Sequence, residues 1–219
     1  MLSFSDDVDI LRYEPVLFGE LHFSSQMLTS GENAALNGTT FTKSGEDFVS
    51  AGVEAGGVIY LQSSDLELDG CYEVVSVDSA TQLTVSVLRA DREGDAVAPP
   101  SGTGISYRVS TFRPQANEAF FQLTQHFGIR PGCPNSVFDA EDISDAGVLR
   151  QVSVLAVLAN VYAIIAGRSE FSGSLWQKSF HYQKLFARAK ERCRVSVDID
   201  SDGEGDITVF GGAMKLVRE

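Results

Sequence analysis

The hydrophobic periodicity changes once along this chain, at about residue 110, and that change limits the fold more than any other feature. Upstream, Leu83, Val85 and Val87 alternate with Thr84 and Ser86, and Ile105, Tyr107 and Val109 alternate with Ser106, Arg108 and Ser110. Such a period of two places one face of a strand on a core. Val58-Ile59-Tyr60-Leu61 and the β-branched, aromatic run from Cys71 to Val77 read as further strands. Asp78-Ser79-Ala80-Thr81 supplies turn chemistry between strands. Downstream, Ala116, Phe120, Leu123 and Phe127 follow the i, i+3/i+4 rule of an amphipathic helix. One chain therefore carries two kinds of element in sequence blocks, and the expected class is α+β.

The expected organisation has four parts. Residues 1–40 form an N-terminal segment, broken by Pro15 and ending in a Gly/Asn/Ser/Thr-rich stretch that reads as a connector; we place it on the helical core. Residues 41–110 form a small antiparallel β-barrel or sandwich, with a polar, mobile loop from Asp91 to Gly104. Residues 111–194 form an α-helical bundle. Its first helix starts at Pro114 and stops at Gly128, its second runs from about Ser144 to Ala166, and its third starts at Ser174. The second is apolar on nearly every face, as a central helix is. The third carries a stripe of Leu175, Tyr182, Phe186, Ala189 and Cys193, with Lys and Arg crowding its last turns. Trp176 and its aromatic neighbours, at helical spacing, read as core. Residues 195–219 form a β-hairpin or extended arm, with Val195, Val197 and Ile199 alternating with Ser196, Asp198 and Asp200 before Ile207 and Val209 resume the pattern.

Charge excludes some functions. The chain has 219 residues with 17 basic and 30 acidic side chains, a net of −13. Duplex binding through phosphate neutralisation needs basic stripes, which such a balance does not favour. The excess is uneven: residues 1–113 carry 6 basic and 17 acidic groups, whereas residues 114–194 carry 9 and 7. Cys71, Cys133 and Cys193 are odd in number and far apart, so neither a disulfide framework nor a zinc site is expected. Asp6, Asp7 and Asp9 stand where a secretory leader would be basic and apolar. The most apolar stretch, Val152 to Gly167, is shorter than the ~20 residues of a bilayer span, and no membrane association is expected.

Catalytic signatures are missing: there is no G-x-S-x-G, H-E-x-x-H, P-loop or G-x-G-x-x-G. His22, His126 and His181 are scattered and read as structural, capping and solvated residues, and Cys133 has no base beside it. No enzyme and no cofactor are expected. Asp198-x-Asp200-x-Asp202-Gly203 begins as a calcium loop does, with Asp206 at a tolerable ninth position. The twelfth position is Val209, where the bidentate Glu of such a loop would stand. Asp198, Asp200 and Asp202 are therefore metal candidates of low rank, and a tight acidic turn is the expected structure.

Three features in order carry a family resemblance. The first is the very apolar helix from Val148 to Ala166. The second is a helix of Ser-x-Trp type, rich in Tyr/Phe and Lys/Arg, from Ser174 to Arg194. The third is the Val-x-Val-Asp-Ile-Asp-x-Asp-Gly-x-Gly segment from Val195 to Gly205. Residues 114–209 thereby resemble the head–tail connector (adaptor) proteins of tailed bacteriophages. The smallest of these are nearly all helical, and residues 41–110 look like an inserted barrel of the kind common in virion proteins. The resemblance implies a structural protein of the virion neck, made in the cytoplasm of a bacterial host. Its copies would form a ring, usually twelvefold, beneath the portal protein. The ring would continue the DNA channel, let DNA pass without specific binding, and dock the tail or a stopper protein. Val195, Val197, Ile199, Ile207 and Val209 would then make the subunit or portal contacts. The alternative is a capsid-decorating or calcium-dependent binding module of a phage particle.

Overall fold

The computed structural model describes residues 3–168, 173–200 and 202–211. Two units are distinguished, Asp6–Phe112 and Met1–Ser5 with Arg113–Glu219. The class is α+β, with a closed six-stranded antiparallel barrel in the first unit and the long helices in the second.

The barrel unit opens with two short helices, α1 (Asp7–Leu11) and α2 (Val16–Gly19). Asp6 caps α1 through the Asp9 N–H, and the Asp9 carboxylate returns the bond to the Asp6 N–H, so a reciprocal capping box starts the helix. Six strands follow: β1 (Met27–Asn37), β2 (Thr40–Thr42), β3 (Val58–Gln62), β4 (Asp69–Ser79), β5 (Gln82–Ser86) and β6 (Gly102–Ser110). They close in the order β1-β2-β5-β4-β3-β6, with β6 returning to β1. Closure removes every unpaired edge. Strand β1 bends through three register shifts against β6, with Asn33 at φ 59°, and bulges of this kind let a sheet curl on itself. Gly31 faces the Tyr107 ring so closely that a Cβ would come 2.9 Å from it. The interior is filled by side chains: Leu36, Phe41, Phe48, Ile59, Leu61, Leu83, Val85 and Ile105 are each at most 2% exposed. Phe41, Phe48 and Tyr107 meet there at ring separations of 5.3–6.0 Å.

Two expectations change in this unit. Of the described N-terminal residues only Ser3, Phe4 and Ser5 join the helical unit, where Phe4 packs on Phe120 at 4.7 Å and the Ser5 and Ser153 hydroxyls are 2.7 Å apart. From Asp6 onward the segment belongs with the barrel, and most of β1 and the first residue of β2 come from residues read as a connector. The Gly and Asn that suggested a connector are the bulges and the Gly38-Thr39 turn of a bent strand. The stretch after Arg89 is also tied down, not left loose. Arg89 pairs with the nearly buried Glu73 at 2.6 Å, and Arg92 pairs with Asp6 at 2.5 Å and with Asp9 at 3.0 Å.

The second unit is built on α3 (Arg113–His126), α4 (Arg150–Arg168) and α5 (Gly173–Arg192). Gly128 sits at φ 69° just past α3, the left-handed position that ends helices. Gly132 lies against that helix; a Cβ there would come 2.3 Å from the Gln125 nitrogen and 2.6 Å from the Phe121 carbonyl. Eleven residues of α4 are buried. Its composition would suit a membrane crossing, yet 61% of its most apolar window lies inside the fold. Strands β7 (Arg194–Val197) and β8 (Ile207–Phe210) pair antiparallel. On its other side β7 bonds to the segment before α4, through Ser144 N–H to the Ser196 carbonyl and Asp198 N–H to the Asp142 carbonyl. The remainder of the arm expected to reach residue 219 lies outside the described residues.

Candidate docking surface of the helical unit

Helix α5 buries a single residue, Ser179, whose hydroxyl donates to the Ala159 carbonyl at 2.9 Å. Its inner side is otherwise half-buried. Tyr182 stacks on Tyr162 at 5.9 Å, and the Lys178 ammonium lies 3.0 Å from the Tyr162 hydroxyl. Leu175, Phe186, Ala189 and Cys193, the stripe anticipated from sequence, lie on this half-buried side.

Trp176 does not join the core. It is 38% exposed and stacks at 5.9 Å on Phe180, which is 61% exposed. Beside it the partner face of α4 carries the small side chains of Ala156, Ala159 and Ala163. The space left is a groove of about 420 Å³, floored by these alanines and walled by Gln122 of α3 and by Trp176, Phe180 and Phe186 of α5. An aromatic cleft rimmed by amides suits an apolar side chain of a partner. Trp176, Phe180, Lys184 and Arg188 follow one another at i+4, so they form one ridge along α5, and all four are exposed. Sequence reasoning missed this ridge. Its signal was the same i+4 spacing, read for the neighbouring stripe instead.

The anticipated contact residues divide. Val195 and Val197 are fully buried in their own unit among Leu123, Phe127, Ile129, Leu149 and Val152, and Val209 packs against that cluster. That burial leaves Val195 and Val197 no surface for a neighbour. Ile199 (56% exposed) and Ile207 (36%) remain available, and Phe210 joins them at 53%. In the acidic turn, the carboxylates of Asp198, Asp200 and Asp206 can bring oxygens within 4.8 Å of one another. Asp202 stands outside that group and accepts the Glu204 N–H at 2.8 Å. Asp198 accepts the Gly203 N–H at 2.8 Å and Asp206 the Ile199 N–H at 2.7 Å. These carboxylates close the turn.

The histidines and thiols do not assemble into reactive pairs. His22 Nδ1 is 3.2 Å from the Gly19 carbonyl. Burial, and then the Arg108 charge, lowers its pKa. His126 is lowered by burial and by Lys190, and its buried Nε2 has no hydrogen-bond partner among the described residues. His181 packs edge-on against Tyr182. Burial pushes the Cys71 thiol up to about 11 and raises Cys193 as well, the opposite of what a nucleophilic thiolate requires. Comparison of the chain with protein-family models, curated proteins and solved structures returns no match.

Proposed function

We propose that this chain is a structural assembly protein whose copies form a ring, and specifically a head–tail adaptor beneath the portal of a tailed bacteriophage. The observation that carries the reading is the solvent-facing Trp176–Phe180–Lys184–Arg188 ridge beside an alanine-floored groove. Such a surface is built to be covered by another macromolecule. The three long helices act as the bundle of the adaptor, and β7–β8 with Ile199, Ile207 and Phe210 acts as its arm toward a neighbour or the portal. The barrel interior, packed with buried side chains such as Phe41, Phe48, Ile59 and Leu83, supports a scaffolding role for that unit. A net charge of −13 suits a conduit through which DNA slides, since an acidic wall repels phosphate. The partners under this reading are further copies, the portal, and a tail or stopper protein.

Deletion of the gene followed by electron microscopy of the particles tests this. Filled heads without tails are expected, restored by the gene supplied in trans; intact tailed virions would end the reading. A second reading, a calcium-dependent attachment or capsid-decorating module, draws on the grouping of Asp198, Asp200 and Asp206. It requires heat on titration with calcium and a rise in melting temperature at saturating calcium. The turn-closing bonds of Asp198 and Asp206 favour the adaptor reading over this one.

A further inference from the structure

We propose that the tip of the β3–β4 connection of one copy seats in the α3–α4–α5 groove of a second copy. The proposal rests on the ring-forming reading and names the two surfaces that meet.

The β3–β4 connection is a small knob of unusual construction. It folds back on itself through the Ser63 N–H to the Leu68 carbonyl at 2.7 Å and the Leu66 N–H to the Ser63 carbonyl at 3.1 Å. Leu68 anchors it in the barrel core at 2% exposure. Leu66, two residues earlier, is held at φ 59° and is 63% exposed. A bulky residue in the left-handed region is a strained arrangement, and here the strain serves to show an apolar side chain to solvent. Exposed carboxylates flank it, Asp65 and Glu67 on either side and Asp69 beyond. The tip is thus one apolar group set between negative charges.

The groove has the complementary make-up. Its wall is Trp176 and Phe180, and the same ridge continues into Lys184 and Arg188. Among the described residues neither cation takes part in an ion pair. An apolar knob between carboxylates meets an aromatic socket next to two exposed cations, so shape, apolar burial and charge agree on one register. The two surfaces differ, so the contact is heterologous. It repeats head to tail and closes into a ring when the rotation per copy divides a full turn.

Sedimentation velocity on the full chain over a concentration series tests this, with circular dichroism to verify that each variant is folded. Wild-type chain is expected to self-associate, less so as salt rises. Asp65→Lys with Glu67→Lys, and separately Lys184→Glu with Arg188→Glu, should each weaken association by about tenfold or more. The chain carrying all four substitutions, with the signs exchanged, should recover it. Leu66→Ser or Phe180→Ser should weaken association with no change of charge. Three results would overturn the proposal: a wild type monomeric at every concentration, association indifferent to both double variants, or loss in the ridge variant alone. The last would assign the ridge to a different partner. Gene deletion separates the two readings. Tailless particles with reversal-insensitive association leave the adaptor reading standing and remove this contact, and tailed particles with the expected reversal pattern do the opposite.

Discussion

Tyr107 joins the barrel's aromatic interior to its polar rim. Its ring is 3% exposed between Phe41 and Phe48, and its hydroxyl donates to Glu46. Burial, and then that bond, pushes the phenol from 10.0 up to about 12. The same bond, more than any other influence, lowers the pKa of Glu46. The signs follow by linkage. The fold favours the neutral phenol, so its contribution is whole below pH 10 and is lost as pH rises through about 12. The fold favours the Glu46 carboxylate, so that contribution holds above the ordinary carboxyl range and is lost as pH falls through the lowered value. Tyr107→Phe should cost about 1 kcal/mol at neutral pH and should remove this alkaline loss. Urea denaturation at pH 8 and pH 11 measures both; equal alkaline losses in the two proteins would contradict the assignment. Gly132 makes a second test at this scale. Because the added Cβ of Gly132→Ala would strike backbone atoms of α3, which cannot swing aside as a flexible side chain can, we expect a cost of about 1–3 kcal/mol, visible as a lowered melting temperature.

At the scale of elements, α5 separates stability from association. Trp176 and Phe180 sit outside the buried cores, so Trp176→Ser and Phe180→Ser should each change unfolding free energy by less than about 1 kcal/mol. Phe41→Ala, wholly inside the barrel, should cost about 3–5 kcal/mol. Chemical denaturation of the three variants checks this, and a Phe180→Ser cost near that of Phe41→Ala would contradict the assignment of Phe180 to the surface. The same contrast shows what was legible in the sequence. Strands β5 and β6 announced themselves by alternation, β3 by a short apolar run, β4 by a β-branched and aromatic one, and α4 by being apolar all round. Strand β1 did not, because Gly31, Asn33 and three register shifts scramble a period of two. The candidate site was half legible. The i+4 spacing of 176, 180, 184 and 188 is in the sequence, but whether that row or its neighbour meets α4 is a fact of tertiary packing. The acidic turn was recognised from spacing, yet which carboxylates gather depends on the backbone: Asp206 takes the place that spacing assigned to Asp202.

For the whole molecule, the barrel unit has the properties of a segment inserted into another fold. Its two ends are tied to each other, since the Phe112 N–H donates to the buried Asp7 carboxylate at 2.7 Å. Every strand of the closed ladder finds both neighbours between Met27 and Ser110. Phe18 and Phe23 pack on Phe112 at 5.1 and 5.6 Å, which anchors the closing end of the segment within its own unit. Adjacent ends and a self-contained core are what allow one domain to be spliced into another. Residues 6–112 produced alone should therefore unfold in one cooperative transition, with a near-ultraviolet dichroism signal from the packed Phe41, Phe48 and Tyr107. The segment also holds most of the acidic surplus, 17 acidic against 5 basic groups. Like charges crowded on so small a surface repel one another, so its melting temperature should rise as salt screens them. A broad transition without a near-ultraviolet signal would show that the barrel depends on the helical unit to fold, and the splice would then have to be read as a single cooperative structure.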